Sequence, residues 1–232
     1  VSGVTKRFGG LAALNGVHFE IGRGEVVGLM GPNGAGKTTL LNVITGEAPP
    51  EAGRVTFQGR DVTRLRPDQI CRLGIGRTYQ IPQPFVSLTA RENLLVAAEF
   101  GRGGRDSKVE EDPDRVLELV GLGDKKEATA GSLPTLSLKQ LELARALASR
   151  PSLLLLDEVA AGSTETEVPR FLRTMEAIRS MGITVVIIEH VMKVLVGVVD
   201  RIVVLDKGAT IAEGAPNAVL CDERVVEAYF GA

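Results

Sequence analysis

At 232 residues, with 44% hydrophobic and 24% charged side chains, the chain has ample apolar mass for a buried core, and its net charge of −2 gives no general basic field. That balance excludes nucleic acid as the default partner and argues for one domain with an inserted subdomain rather than two independent domains. Apolar runs such as ITVVII at 183–188 fall far short of the roughly 18 to 20 residues that span a bilayer, so no membrane crossing is expected. Cys71 and Cys221 belong to no Cys-x-x-Cys pair and are expected as reduced thiols. The start, VSGVTKRF, lacks a secretory pattern and an initiating Met, which suggests a chain beginning a few residues earlier.

In chain order, residues 1–30 alternate short apolar runs with Gly-containing turns and predict β-strands; RVTFQGRDVT at 54–63 repeats that character. Further apolar strand candidates are GIGRTYQ, SLLLLDE, ITVVIIEH and RIVVLD, each ending on polar residues, as strands do where open α/β sheets bind ligands. Residues 83–150 differ in kind, with helical runs predicted at 89–100, 114–120 and 138–149, and read as an inserted helical subdomain. The polar, mixed-charge stretch 101–114 reads as a solvated loop. The whole predicts an α/β fold with a mostly parallel central sheet, its core formed by 1–82 and 151–232.

Gly31–Thr39, GPNGAGKTT, fits the phosphate-loop pattern G-x-x-x-x-G-K-[ST], and it lies between the apolar run EVVGLM and the helical pattern LLNVITG. Gly31, Gly34 and Gly36 allow the backbone N–H groups to turn around phosphate oxygens, with Pro32, Asn33 and Ala35 completing the loop. Lys37 supplies a cation to the outer phosphates, Thr38 is the hydroxyl expected on Mg²⁺, and Thr39 continues a helix whose positive end faces the anion. SLLLLDE ends in Asp157, suited to a metal, and Glu158, suited to polarise a water as general base. One of the two histidines, His190, ends a strand where an imidazole can reach a terminal phosphate; His18 receives no role.

With Gln80 at the end of GIGRTYQ, ARAL at 144–147, LLLLDE, and Glu189–His190 following in that order, the chain resembles the ATP-binding-cassette (ABC) ATPases over essentially its whole length. KRFGGLAALNGV, DEVAAG and the ending VVEAYFG look closest to the ATPase subunits of branched-chain amino acid importers. The resemblance implies a P-loop ABC-ATPase fold with an antiparallel β subdomain at the N-terminus and a single nucleotide-binding domain over 1–232. It implies ATP and Mg²⁺ as cofactors, with Phe8 stacking on adenine, Gln80 contacting Mg²⁺ or the attacking water, Asp157 on the metal, Glu158 as base and His190 as switch residue. IPQPFVSLT would border the groove that receives a permease helix. It further implies a second ATPase subunit, integral membrane permeases and, indirectly, a solute-binding protein, at the cytoplasmic membrane face. A DNA-repair or chromosome-type ABC ATPase would carry a long coiled coil, and a small-molecule kinase an Arg-rich lid; neither is apparent.

The sequence departs from the family where a cassette serves its partner. Counting back from ARAL places LPTLS, 133–137, in the slot of the usual LSGGQ signature, with Pro134 at the serine and Leu136 at a glycine. The alternative LSLKQ, 136–140, lies three residues closer to ARAL, a rotation of about 300° on a helix. Val159 stands at the usual proline and Thr164 at an expected aspartate or asparagine. Intact groups in cis and altered groups in trans favour an asymmetric heterodimer, the alternative being a homodimer that would carry two weak sites.

Overall fold

A fully buried strand, Val26–Met30, leads straight into the phosphate loop. In the computed structural model, which describes residues 1–101, 112–160 and 167–231, the chain runs β1 (Ser2–Phe8), β2 (Leu11–Val17), β3 (Val26–Met30), α1 (Lys37–Ile44), β4 (Ala52–Arg54), β5 (Thr56–Phe57), β6 (Arg60–Asp61) and α2 (Pro67–Leu73). It continues with β7 (Ile75–Arg77), α3 (Ala90–Phe100), α4 (Pro113–Val120), α5 (Thr135–Ala148), β8 (Leu153–Asp157), α6 (Val168–Ser180), β9 (Thr184–Ile188), α7 (Met192–Val198), β10 (Arg201–Asp206), β11 (Ala209–Gly214), α8 (Pro216–Leu220) and α9 (Glu223–Phe230). Most of the polar loop expected at 101–114, and Thr164, lie outside the described residues. Two units can be distinguished, Val1–Ile70 with Val186–Ala232, and Cys71–Val185.

In the first unit, β1 pairs antiparallel with β2 and β4, giving the expected N-terminal antiparallel sheet. β10 lies parallel to β3, with Val203 opposite Leu29, and antiparallel to β11. β3 and the centre of β10 are apolar at successive positions and buried on both faces, as parallel strands covered by helices are. Helix α1 buries Leu40, Leu41, Val43 and Ile44. The stretch predicted at 54–63 splits into the two-residue strands β5 and β6, because Gln58 and Gly59 both adopt positive φ and turn the chain back at once.

In the second unit, β7 runs parallel to β8 with Gly76 opposite Leu154. Helices α3, α4 and α5 pack on one another, within the predicted helical stretch. α3 begins with a capping box in which the Thr89 side chain accepts from Glu92 N–H while Glu92 accepts from Thr89 N–H. α4 starts on an Asp112 cap with Pro113 in its first turn and stops at Gly121. Two boundaries differ from expectation. α5 starts at Thr135, three residues before the predicted start, since Pro134 takes the N-cap at φ −66° and its fixed ring directs the chain into the helix. β7 ends at Arg77 rather than running on to Gln80. There the Thr78 hydroxyl, in place of a main-chain carbonyl, accepts the Asp157 N–H at 3.0 Å, and the chain leaves the ladder.

Candidate nucleotide site

The phosphate loop is built from the first unit. Gly31 has φ +145°, and a Cβ there would lie 2.1 Å from the carbonyl oxygen of Leu205 on β10; Gly36, at φ +103°, would place one 2.4 Å from the Ala13 oxygen. Only glycine tolerates both the conformation and the approach. Between them Ala35 N–H donates to Pro32 O at 3.2 Å and the Gly208 N–H, from the β10–β11 turn, donates to Ala35 O at 3.0 Å. Asn33, Gly34 and Thr38 stay exposed, Pro32 and Thr39 half-exposed. The loop ends at Gly36, the N-cap of α1, so the helix's first-turn amides face the loop interior. Lys37 is buried and its ammonium donates to the carbonyls of Gly31 at 2.6 Å and Pro32 at 3.0 Å. A cation held on the loop's own carbonyls beside the open amides of a helix start is an arrangement that a polyphosphate can complete.

Two residues of this unit flank the loop in sequence-based expectation. Phe8, at the end of β1, is 53% exposed and therefore no core residue; the Lys6 ammonium sits 5.3 Å from its ring centre. His190 follows β9 and is exposed, with buried Glu189 before it. His18 accepts from Gly3 N–H through Nδ1 at 3.2 Å, a local bond within the β1–β2 region.

The carboxylates belong to the second unit. Asp157 closes β8 with only 2% of its surface exposed, and the Arg77 guanidinium, itself buried, lies 3.5 Å from Oδ2 while stacking 4.8 Å over Tyr79. Glu158 turns out of the strand at φ +53°, a left-handed conformation that is costly for a side-chain-bearing residue. Two contacts hold it there. Gln80 Nε2 donates to Glu158 Oε2 at 3.0 Å, and Lys139 Nζ, from α5, donates to the Glu158 carbonyl oxygen at 3.1 Å. Gln80 and Glu158, assigned separately from sequence, are thus in direct contact; Lys139 was not foreseen, because a lysine on a helix gives no local sign of a distant carbonyl.

The ABC transporter family matches residues 14–161, and a second, shorter family described as branched-chain amino acid ATP-binding cassette transporter matches 209–232. The chain belongs to the ABC transporter family. The high-affinity branched-chain amino acid transport ATP-binding protein BraF of Pseudomonas aeruginosa is 38% identical over 248 residues, covering 100% of this chain and 96% of that protein. Among solved structures, the ADP conformation of MJ1267, an ATP-binding cassette of an ABC transporter, superposes with a TM-score of 0.87 at 34% identity, covering 100% of this chain and 97% of the other. A dimeric post-hydrolysis cassette, MJ0796 bound to ADP and Pi, gives 0.82 at 25% identity, over 93% and 97% of the two chains. The fold is that of an ABC ATPase, and the chain is an ATPase subunit of a transporter.

In this ABC cassette, helix α5 begins within LPTLS, the segment expected in the signature slot. Leu138 N–H donates to Pro134 O at 3.0 Å as the first bond of the helix, so the Thr135, Leu136 and Ser137 amides form its open first turn. LPTLS therefore straddles the helix start, whereas LSLKQ lies inside the helix. Pro134 contributes no N–H. Ser137 is buried and its hydroxyl accepts from Lys125 Nζ at 3.0 Å. Further along α5, Arg145 pairs with Glu142 at 3.0 Å, donates to Gln83 O at 2.7 Å and stacks 5.2 Å over Phe85. Burial pushes the Glu142 carboxyl upward, and the Arg145 charge opposes it.

Proposed function

We propose that this cassette hydrolyses MgATP to drive import of branched-chain amino acids or related solutes, as a peripheral subunit on the cytoplasmic face of its permeases. The observation that carries the solute class is the match of residues 209–232 to the branched-chain family, supported by the full-length likeness to BraF. Lys37 and the amides of Gly31–Thr39 hold the phosphates, Phe8 stacks on adenine, Glu158 takes a proton from water, Gln80 orients that water, and His190 contacts the terminal phosphate. Thr38, Gln80 and Asp157 offer hard oxygen donors suited to Mg²⁺, which when bound neutralises phosphate charge.

An apolar surface supports a permease partner. Ile81, Phe85, Val86 and Leu95 are all exposed, between 46% and 75%, on the segment after Gln80 and the adjoining α3. Buried Asn93 fixes that segment: its side chain accepts from Phe85 N–H at 2.9 Å and donates to Phe85 O at 3.1 Å. No described helix is long and apolar enough to cross a membrane. The helical stretch 83–150 acts as the subdomain that carries this surface.

The altered signature favours a heterodimer in which an ATPase partner supplies the intact one. Reconstituting the chain with branched-chain permeases and their solute-binding protein, with and without a second ATPase subunit, tests the whole reading. ATP-dependent leucine uptake into vesicles, with turnover rising several-fold when the second ATPase is added, is the expected result. Brisk turnover by this chain alone would remove the heterodimer, and phosphate transfer to a metabolite would remove the transporter.

A further inference from the structure

The first amide of the phosphate loop has an acceptor from the far end of the chain. β3 pairs with β10 only as far as Met30, opposite Val204, so the next N–H, that of Gly31, has left the sheet ladder. It donates instead to the Tyr229 hydroxyl at 2.8 Å, across 198 residues of sequence. Tyr229 lies in α9, which is capped by Asp222 through a bond from Arg224 N–H and packs against β11. All of α9 falls within the segment 209–232 that the branched-chain family defines. The C-terminal segment of this chain that matches the branched-chain family therefore reaches the phosphate loop.

The geometry shows what that bond controls. Gly31 is held at both of its polar groups: its N–H by Tyr229 and its carbonyl by Lys37 at 2.6 Å. A phosphate competes for the Lys37 ammonium and frees the carbonyl. The tyrosine is then the tether that keeps the start of the loop pressed on β10 while the following amides face the ligand. We infer that Tyr229 is a positioning residue for nucleotide binding, through which the C-terminal helix sets the affinity of the phosphate loop. Gly31 is buried and Tyr229 partly exposed, so without the hydroxyl the Gly31 N–H loses its acceptor at about the cost of one ordinary hydrogen bond; the loop is also no longer held in its binding shape, and ordering it falls on the ligand.

The inference rests on the reading of Gly31–Thr39 as a nucleotide site, and one set of measurements separates the two. ADP affinity by calorimetry, KM and kcat for ATP, and the melting temperature without nucleotide are compared for the full chain, Tyr229→Phe and Lys37→Ala. Tyr229→Phe keeps the ring and removes only the hydroxyl. The expected result is an ADP Kd and an ATP KM each raised about 3- to 10-fold, the loss of one ordinary hydrogen bond, with kcat within about twofold and a melting temperature lowered by no more than about 4 °C. Unchanged Kd and KM, or a fall in kcat at constant KM, overturns the role of Tyr229 and leaves the site reading standing. A lowered melting temperature without a change in Kd assigns the tyrosine to folding only and also overturns it. Parent protein that binds ADP no better than Lys37→Ala overturns the nucleotide site, and this inference with it.

Discussion

Glu158 combines a strained backbone with two fixed contacts, and that combination separates its charge from its placement. The left-handed φ is maintained by Lys139 on the carbonyl and by Gln80 on the carboxylate. Glu158→Gln preserves shape and can still meet Gln80, yet removes the proton acceptor. Hydrolysis should fall by at least about 100-fold with ATP binding retained, the usual loss of a general base; single-turnover assays alongside equilibrium binding check this. Lys37→Ala should act in the opposite sense and remove tight nucleotide binding, measured by the same titration. Both expectations come from short local patterns, GPNGAGKTT and LLLLDE. Tyr229 and Lys139 were not legible. Each acts on a main-chain group remote in sequence, and main-chain groups carry no residue identity for a pattern to register.

At the scale of single elements, α5 is the most informative. Its predicted start was late because a Pro and a β-branched Thr resemble a loop, although Pro134 at an N-cap is a workable way into a helix. The cost is chemical: an N-cap proline has neither a capping hydroxyl nor an N–H for a ligand. Pro134→Ser supplies both. A side-chain cap should stabilise the helix by about 1 kcal/mol, readable as a shift in the denaturation midpoint. If the altered signature limits the homodimer, the same substitution should raise the turnover of the isolated chain several-fold; a stabilised protein with unchanged turnover would place the limit elsewhere. Likewise β7 stopped short of the predicted Gln80 because a threonine hydroxyl replaced a main-chain acceptor, a substitution that apolar alternation does not reveal.

At the scale of the whole molecule, the fold class was legible from alternating strand and helix patterns, while the long-range ion pairs that secure its edges were not. Arg201, at the start of β10, donates to Glu25 at 2.6 Å and also pairs with Glu213 on β11 and the Glu20 carbonyl. The hydrogen bond from Arg201 holds the Glu25 carboxyl below its usual value, against a smaller opposing effect of burial. A depressed carboxylate contributes stability above its unfolded pKa, about 4.3 for glutamate, and loses it as pH falls through the lower folded value. Urea denaturation between about pH 3 and pH 7 should therefore show a shallower acid decline for Glu25→Gln than for the parent, the two converging at the acid end. Parallel curves would mean that the pair is unimportant for acid stability.

The Arg145 clamp has a mechanical consequence. One guanidinium ties the Gln83 carbonyl and the Phe85 ring to α5, the helix whose opening turn would face another subunit in the proposed dimer. A push on Phe85 from a permease would accordingly be felt at the end of α5, as a seesaw transmits load across its pivot. The subunit would then report the state of the transport path to its neighbour's nucleotide before its own, and Arg145 is where that signal would be cut.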